Sequence, residues 1–256
     1  MNISTQPVLS GNAPWFKSWF DSSYYHQLYA GRDEQEAASF INELLNVLKP
    51  APNSSMLDLG CGAGRHARQL ASHGYRVAGM DLSSSSIREA KKSETTNLQF
   101  YRQDMREPFG IRQFDYVFSF FTSFGYFKDD MENHQVISNI SKSLKRGGTL
   151  LMDYINTPWS EERIVPYEEK EIDGVVYHIT RWTNDKNFNK KIVIDTMLDD
   201  GLIEYTEQVK KFSLADFEEM FSCHGLQLNE VYGDYKLSAY DEKKSSRLIL
   251  SAKKME

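Results

Sequence analysis

Residues 56–81 read MLDLGCGAGRHARQLASHGYRVAGMD, and their reading decides the fold. MLDLG predicts a strand, GRHARQLASHG a helix ending at Gly74, and YRVAGMDL a second strand. Gly60, Gly62 and Gly64 sit at alternate positions between strand and helix. Such spacing allows a tight turn and lets a ligand approach backbone N–H groups closely. Gly62 to Ala67 also fits the dinucleotide pattern G-x-G-x-x-G/A. Asp81, at the end of the second strand, suits a ribose hydroxyl acceptor in either reading.

Outward from this stretch, strands and helices alternate. SSSSIREAKK predicts a helix with serines available as N-caps. LQFYRQDM is a third strand. FDYVFSFF is a fourth, nearly continuous in apolar residues, as expected of a strand buried on both faces. A helix around Met131 to Leu144 stops at Lys145-Arg146-Gly147-Gly148, and TLLMDYI is a fifth strand. This alternation predicts a mainly parallel, doubly wound α/β sheet. Residues 157–212 change character: Asp173-Gly174 and Asp200-Gly201 are hairpin signals between β-rich runs, giving about four antiparallel strands. LADFEEMFSCHG then returns to a helix, and LQLNEVYGDY and RLILSAKK close as two strands. The expected organisation is an N-terminal helical and aromatic cap over 1–50, a cofactor-binding core over 51–156, an antiparallel insertion over 157–212, and completion of the core over 213–256. The cap holds Trp15, Phe16, Trp19, Phe20, Tyr24, Tyr25 and Tyr29. A helix follows it, with Ala37, Phe40, Ile41, Leu44, Leu45 and Leu48 on one face.

Thirty Lys and Arg against 36 Asp and Glu leave a net charge of −6, which lowers the expectation of a nucleic-acid partner. Mean hydropathy is −0.55 and no apolar run approaches 18 residues, so no membrane-spanning helix is expected. Cys61 and Cys223 are too far apart in sequence for a staple framework, and no metal-ligand spacing appears, so no metal is expected. The N-terminal residues carry no secretory pattern, and the expected compartment is the cytoplasm.

Asp58 precedes Gly60 by two residues, giving D-x-G-x-G-x-G, and the third strand runs into Gln103-Asp104-Met105. Together these features resemble the class I S-adenosylmethionine-dependent methyltransferases over residues 55–155. The resemblance implies a Rossmann-like, seven-stranded mainly parallel sheet with helices on both faces, and the antiparallel β-meander follows strand five. It also implies S-adenosyl-L-methionine as cofactor. Gly60, Cys61 and Gly62 match the loop packed against its methionine part. Asp81, followed by Leu82, matches the ribose-binding acid, and Asp104 with Met105 the adenine-binding pair. Residues near Phe120 match those reaching the methionine moiety, and Asp58 belongs to the same motif. Arg32 or Arg65 is read either as pairing with the cofactor carboxylate or as a solvated surface arginine, and the N-terminal aromatic cluster either as a helix face packed on the domain or as supplying Tyr24, Tyr25 and Tyr29 as a lid over the sulfonium.

A narrower likeness lies in Gln103-Asp104-Met105-Arg106 and Phe120-Phe121-Thr122-Ser123-Phe124-Gly125-Tyr126. These look like the small-amine methyltransferases, including aminosugar and glycine N-methyltransferases. Tyr126 stands where the aminosugar enzymes can carry His. It is the candidate catalytic residue, with Tyr154 and Asn156 as further candidates at strand ends. Methyl transfer to a small-molecule amine is the expected function. The alternatives are a small-molecule O-methyltransferase, a non-catalytic S-adenosylmethionine-binding protein, and an NAD-dependent oxidoreductase. A homodimer through the β insertion is a further expectation. Arg163 and Arg181 are read either as holding an anionic substrate group or as surface ion pairs.

Overall fold

The structure is a computed structural model that describes residues 14–31, 34–196 and 201–255. Two compact units divide these residues: 14–31 with 161–211, and 34–160 with 212–255.

The larger unit is built on a seven-stranded sheet. Its strands are β1 (Ser55–Leu59), β2 (Arg76–Asp81), β3 (Leu98–Arg102), β4 (Phe114–Ser119), β5 (Leu144–Ile155), β10 (Leu226–Tyr232) and β11 (Arg247–Lys254). Their order is β10-β11-β5-β4-β1-β2-β3. The first five are mutually parallel, while β11 runs antiparallel to both β5 and β10. Helix α3 (Glu34–Leu48) lays Phe40, Ile41 and Leu44 into one core with Ala67 and Leu70 of α4 (Arg65–Ser72) and Ile87 of α5 (Ser84–Ala90). Met56, Val77, Phe118 and Leu151 meet them from the sheet. Their strand neighbours Leu57, Val117, Leu150 and Met152 are equally buried and point to the opposite face. There α6 (Asp130–Ser143) packs on β5 and on α8 (Leu214–Cys223). Burial on both faces explains why strand four reads as an unbroken apolar run.

Helix starts follow local chemistry. Ser83 caps α5 by accepting from the Ser86 N–H, and Asp129 with Glu132 and Ser213 with Asp216 form capping boxes on α6 and α8. The helix expected to stop at Lys145 to Gly148 ends at Ser143 instead, and these residues start β5. Pairing with β4 shifts there, from Phe114 opposite Leu144 to Tyr116 opposite Thr149. Gly147 (φ 71°) is part of the extra loop of chain this requires. Strand four is shorter than the expected FDYVFSFF. It ends at Ser119 because Phe121 and Thr122 take left-handed backbone (φ 53° and 59°).

The smaller unit is an antiparallel sheet of β6 (Tyr167–Ile172), β7 (Val175–Thr183), β8 (Asn187–Asp195) and β9 (Ile203–Lys210), in that order. Asp173 and Gly174 make the first turn with φ of 49° and 77°. Asp200 of the second expected turn lies outside the described residues, as does Arg32. On one face, Tyr177, Ile179, Ile192 and Ile194 are covered by α1 (Trp15–Trp19) and α2 (Ser23–Leu28). The described residues of the expected 1–50 cap fall into both units. Its aromatic part belongs with the meander, and its amphipathic helix α3 with the parallel sheet, because each apolar surface finds a different core.

Candidate active site

The loop after β1 is pinned to the end of β2. The N–H groups of Gly60 and Cys61 both donate to the Met80 carbonyl, at 2.7 and 3.0 Å. Asp81 completes the tie: Oδ2 accepts from the Gly62 N–H and Oδ1 from the Ser83 N–H, each at 2.8 Å. Two glycines are sterically required. A Cβ on Gly60 would lie 2.5 Å from Cβ of Ser123, and one on Gly64 2.5 Å from Cζ of Phe100, both at positive φ. Gly62, by contrast, faces nothing within 4 Å, so the middle of the loop opens on free space.

Asp58 sits beneath this loop, 1 % exposed, and neither carboxylate oxygen has a well-formed hydrogen bond. Burial pushes its carboxyl up to about 7, with the nearby Asp81 carboxylate adding to the rise; the Ala67 N–H and Arg65 offset it only in part. A buried carboxylate lacking compensation is costly and suits a cationic ligand. Cys61 is buried, and burial beside Asp58 and Asp81 raises its thiol well above the ordinary range, which makes it an inert loop residue.

Asp104 follows β3 and is held by Arg106: Oδ1 accepts from the Arg106 N–H and Nε at 3.0 Å, and Oδ2 from Nη2 at 2.6 Å. Arg106 also reaches Glu132 at 2.5 Å, and these two carboxylates raise its pKa. The Met105 carbonyl accepts from Asn139, and the Met105 side chain extends toward Gly60. Leu82 is half-buried after β2, its carbonyl accepting from Arg102. Phe120 is buried, stacked on Phe118 at 5.3 Å and against His66 at 4.5 Å. Arg65 lies 4.6 Å over the Phe121 ring and 3.6 Å from Glu36. Tyr25 belongs to the smaller unit, among Trp19, Phe20 and Tyr29.

The segment after β4 carries the backbone strain. Left-handed conformations at two consecutive residues with side chains cost about 1–2 kcal/mol each. They are held from β5 and β11. The Phe121 N–H donates to Oδ2 of Asp153 at 2.8 Å, and the Thr122 N–H to the Asp153 carbonyl at 3.1 Å. Arg247 donates through Nε to Oδ1 of Asp153 and through Nη2 to Oγ1 of Thr122, both at 2.7 Å. The Tyr235 hydroxyl donates to Asp153 at 3.1 Å. Beyond the turn, the Ser123 hydroxyl donates to the Phe120 carbonyl at 2.8 Å with the Gly60 carbonyl a longer second acceptor at 3.3 Å, and the Tyr126 hydroxyl donates to the Thr122 carbonyl. The sequence reading missed Asp153, Tyr235 and Arg247. A signal was present: a lone carboxylate inside LLMDYI is costly to bury unless a cation or hydrogen-bond donors meet it.

Two other candidates have structural occupations. Asn156, fully buried, donates to the carbonyls of Glu242 and Ser245 and accepts from Tyr240. Tyr154 is buried among Phe124, Phe212 and Phe217, and burial raises its pKa. Arg163 pairs with Glu162 and Arg181 with Glu168.

The donor set fits an S-adenosyl sulfonium compound: a buried, poorly compensated carboxylate for a cation, open backbone at Gly62, and the Asp81 carboxylate at the neighbouring strand end for a diol. Sheet order and strand-end site together define a Rossmann-like methyltransferase fold. Residues 56–148 match the methyltransferase-domain family. A dTDP-3-amino-3,4,6-trideoxy-alpha-D-glucopyranose N,N-dimethyltransferase of Streptomyces venezuelae is 27% identical over 221 residues, covering 82% of this chain and 91% of its own. An S-adenosylmethionine-dependent methyltransferase structure from Clostridium acetobutylicum superposes with a TM-score of 0.75 at 19% identity, over 91% of this chain and 96% of its own. A sugar N-methyltransferase from Streptoalloteichus does so at 0.72 and 18%, over 100% and 99%. Fold and family match agree that the chain carries a methyltransferase domain. No helix among the described residues is long and apolar enough to cross a membrane.

Proposed function

We propose that this enzyme methylates an amine nitrogen of a small molecule. The observation that carries the reading is the likeness to the aminosugar N,N-dimethyltransferase, which spans 91% of that protein and so reaches well beyond the cofactor domain. Supporting it is the segment Phe120 to Tyr126, whose pattern resembles the small-amine enzymes.

In this reading Asp58, Gly60, Cys61, Gly62, Arg65 and Phe120 hold the amino-acid end of S-adenosylmethionine. Asp81 and Leu82 hold the ribose, and Asp104 and Met105 the adenine. The bound cofactor supplies a methyl group on a positively charged sulfur, a good leaving group. The protein's work is then alignment and exclusion of water. The acceptor must present a neutral amine. The Tyr126 hydroxyl donates to the Thr122 carbonyl, which fixes the direction of the phenol beside the glycine loop. Asp153 is neutralised by Arg247 and is no candidate for the base.

The test is transfer of labelled methyl from S-adenosylmethionine to a panel of aminosugars, small amines and their hydroxyl analogues. Labelled amines with unlabelled hydroxyl analogues are expected. Label on oxygen alone would establish the O-methyltransferase alternative, and no label on any acceptor beside tight cofactor binding the non-catalytic one.

A further inference from the structure

Asp153 is fully buried at the carboxyl end of β5, and every contact described for its carboxylate and carbonyl serves the turn after β4. One oxygen takes the Phe121 N–H and the Tyr235 hydroxyl, and the other takes Arg247, which spans on to the Thr122 hydroxyl. The Tyr235 ring in turn packs on Phe121 at 5.1 Å and on Phe40 at 4.7 Å. The turn so held has left-handed backbone at two residues that do not favour it. Its product is a fixed placement: Ser123 packed against Gly60, its hydroxyl between the Phe120 and Gly60 carbonyls, and the Tyr126 hydroxyl on the Thr122 carbonyl.

We propose that Asp153, acting through Arg247 and Tyr235, is a positioning residue for methyl transfer, clamping Phe121–Thr122 in the turn that seats Ser123 on the glycine loop and orients Tyr126. This rests on the reading of Tyr126 and the glycine loop given under Proposed function. Strain at a functional segment persists only where its surroundings over-determine it, and here three residues from two other strands and a loop do so. A glycine at position 122 would adopt the same backbone without help.

The experiment compares wild type with Asp153→Asn, Asp153→Asn combined with Thr122→Gly, Thr122→Ala and Tyr235→Phe. Amide hydrogen exchange is read at residues 121 and 122, with kcat and KM on the acceptor and the dissociation constant for S-adenosylhomocysteine. In Asp153→Asn, exchange at both amides should rise on the order of tenfold or more. Its kcat should fall by about tenfold, with the dissociation constant changed by less than about threefold. Thr122→Gly should restore much of kcat in that background, which a clamp serving folding alone would not allow. Should Asp153→Asn fail to fold, Thr122→Ala and Tyr235→Phe each remove one clamp contact and should show the same changes at about two- to fivefold. Folded Asp153→Asn with wild-type kcat overturns the proposal, as does unchanged exchange at 121 and 122 in all folded variants. If the wild-type chain methylates no acceptor, the functional reading falls, and the exchange measurement, which needs no acceptor, decides the clamp separately.

Discussion

Asp58 carries a pH dependence that follows from its burial. Its carboxyl is raised from 3.8 to about 7 in the folded chain, so between those values the native state holds a proton that the unfolded state has released. Stability of the ligand-free protein should therefore fall as pH rises through this window, at up to about 1.4 kcal/mol per pH unit, and level off above it. Asp58→Asn should flatten the slope and make the ligand-free protein more stable than wild type at pH 8. Urea denaturation from pH 5 to pH 8 measures this, and an unchanged slope in the variant would remove Asp58 as its source. The residue was legible in the sequence because motif and neighbours are contiguous: Asp58, Gly60 and Gly62 lie within five positions, and Asp81 at the next strand end. The clamp was not. Asp153 lies 94 residues from Arg247 and 82 from Tyr235, so nothing local announces their meeting. Only the isolated charge in an apolar strand hinted that some distant cation had to arrive.

Among the elements, the junction of β1 and α4 is the most constrained. Gly64 caps α4 at φ 83°, directly over the Phe100 ring of β3. Gly64→Ala combines left-handed strain with a clash and should cost roughly 2–5 kcal/mol. A loss under about 1 kcal/mol in chemical denaturation would show that β3 moves aside easily. The helices and strands of the parallel sheet were readable because each announces its own period, from the unbroken apolar run of β4 to the stripe of Phe40, Ile41 and Leu44 on α3. Where strand four ends was not readable. FSFF continues the apolar pattern past Ser119, and the capture of the Phe121 and Thr122 N–H groups by Asp153 turns the chain away. The same holds for α1 and α2, whose aromatic residues predict burial without naming the surface.

At the scale of the molecule, the described residues form two compact units. In the smaller unit Trp19 is fully buried, 4.6 Å from the Tyr205 ring, and its indole N–H donates to Glu207 at 2.6 Å. Glu207 also takes Lys190 and Tyr29, so one carboxylate gathers the N-terminal helices onto the meander. Trp19→Ala should cost that unit about 3–5 kcal/mol. Hydrogen exchange should accelerate at the amides of β7 and β8, and unchanged protection there would show that Trp19 does not hold this core. In the larger unit, the sheet order has a consequence for how the protein is made. β11 is the last strand described, yet it lies inside the sheet, between β5 and β10. It also carries Arg247. During synthesis, β5 leaves the ribosome with its edge open and the carboxylate of Asp153 without its counter-charge, and remains so until residue 254 has been added. A nascent chain stalled before that point holds an unpaired apolar strand, open to other chains and to chaperones. The turn beside the glycine loop cannot lock until Arg247 has been made, so the site forms only after β11 has emerged.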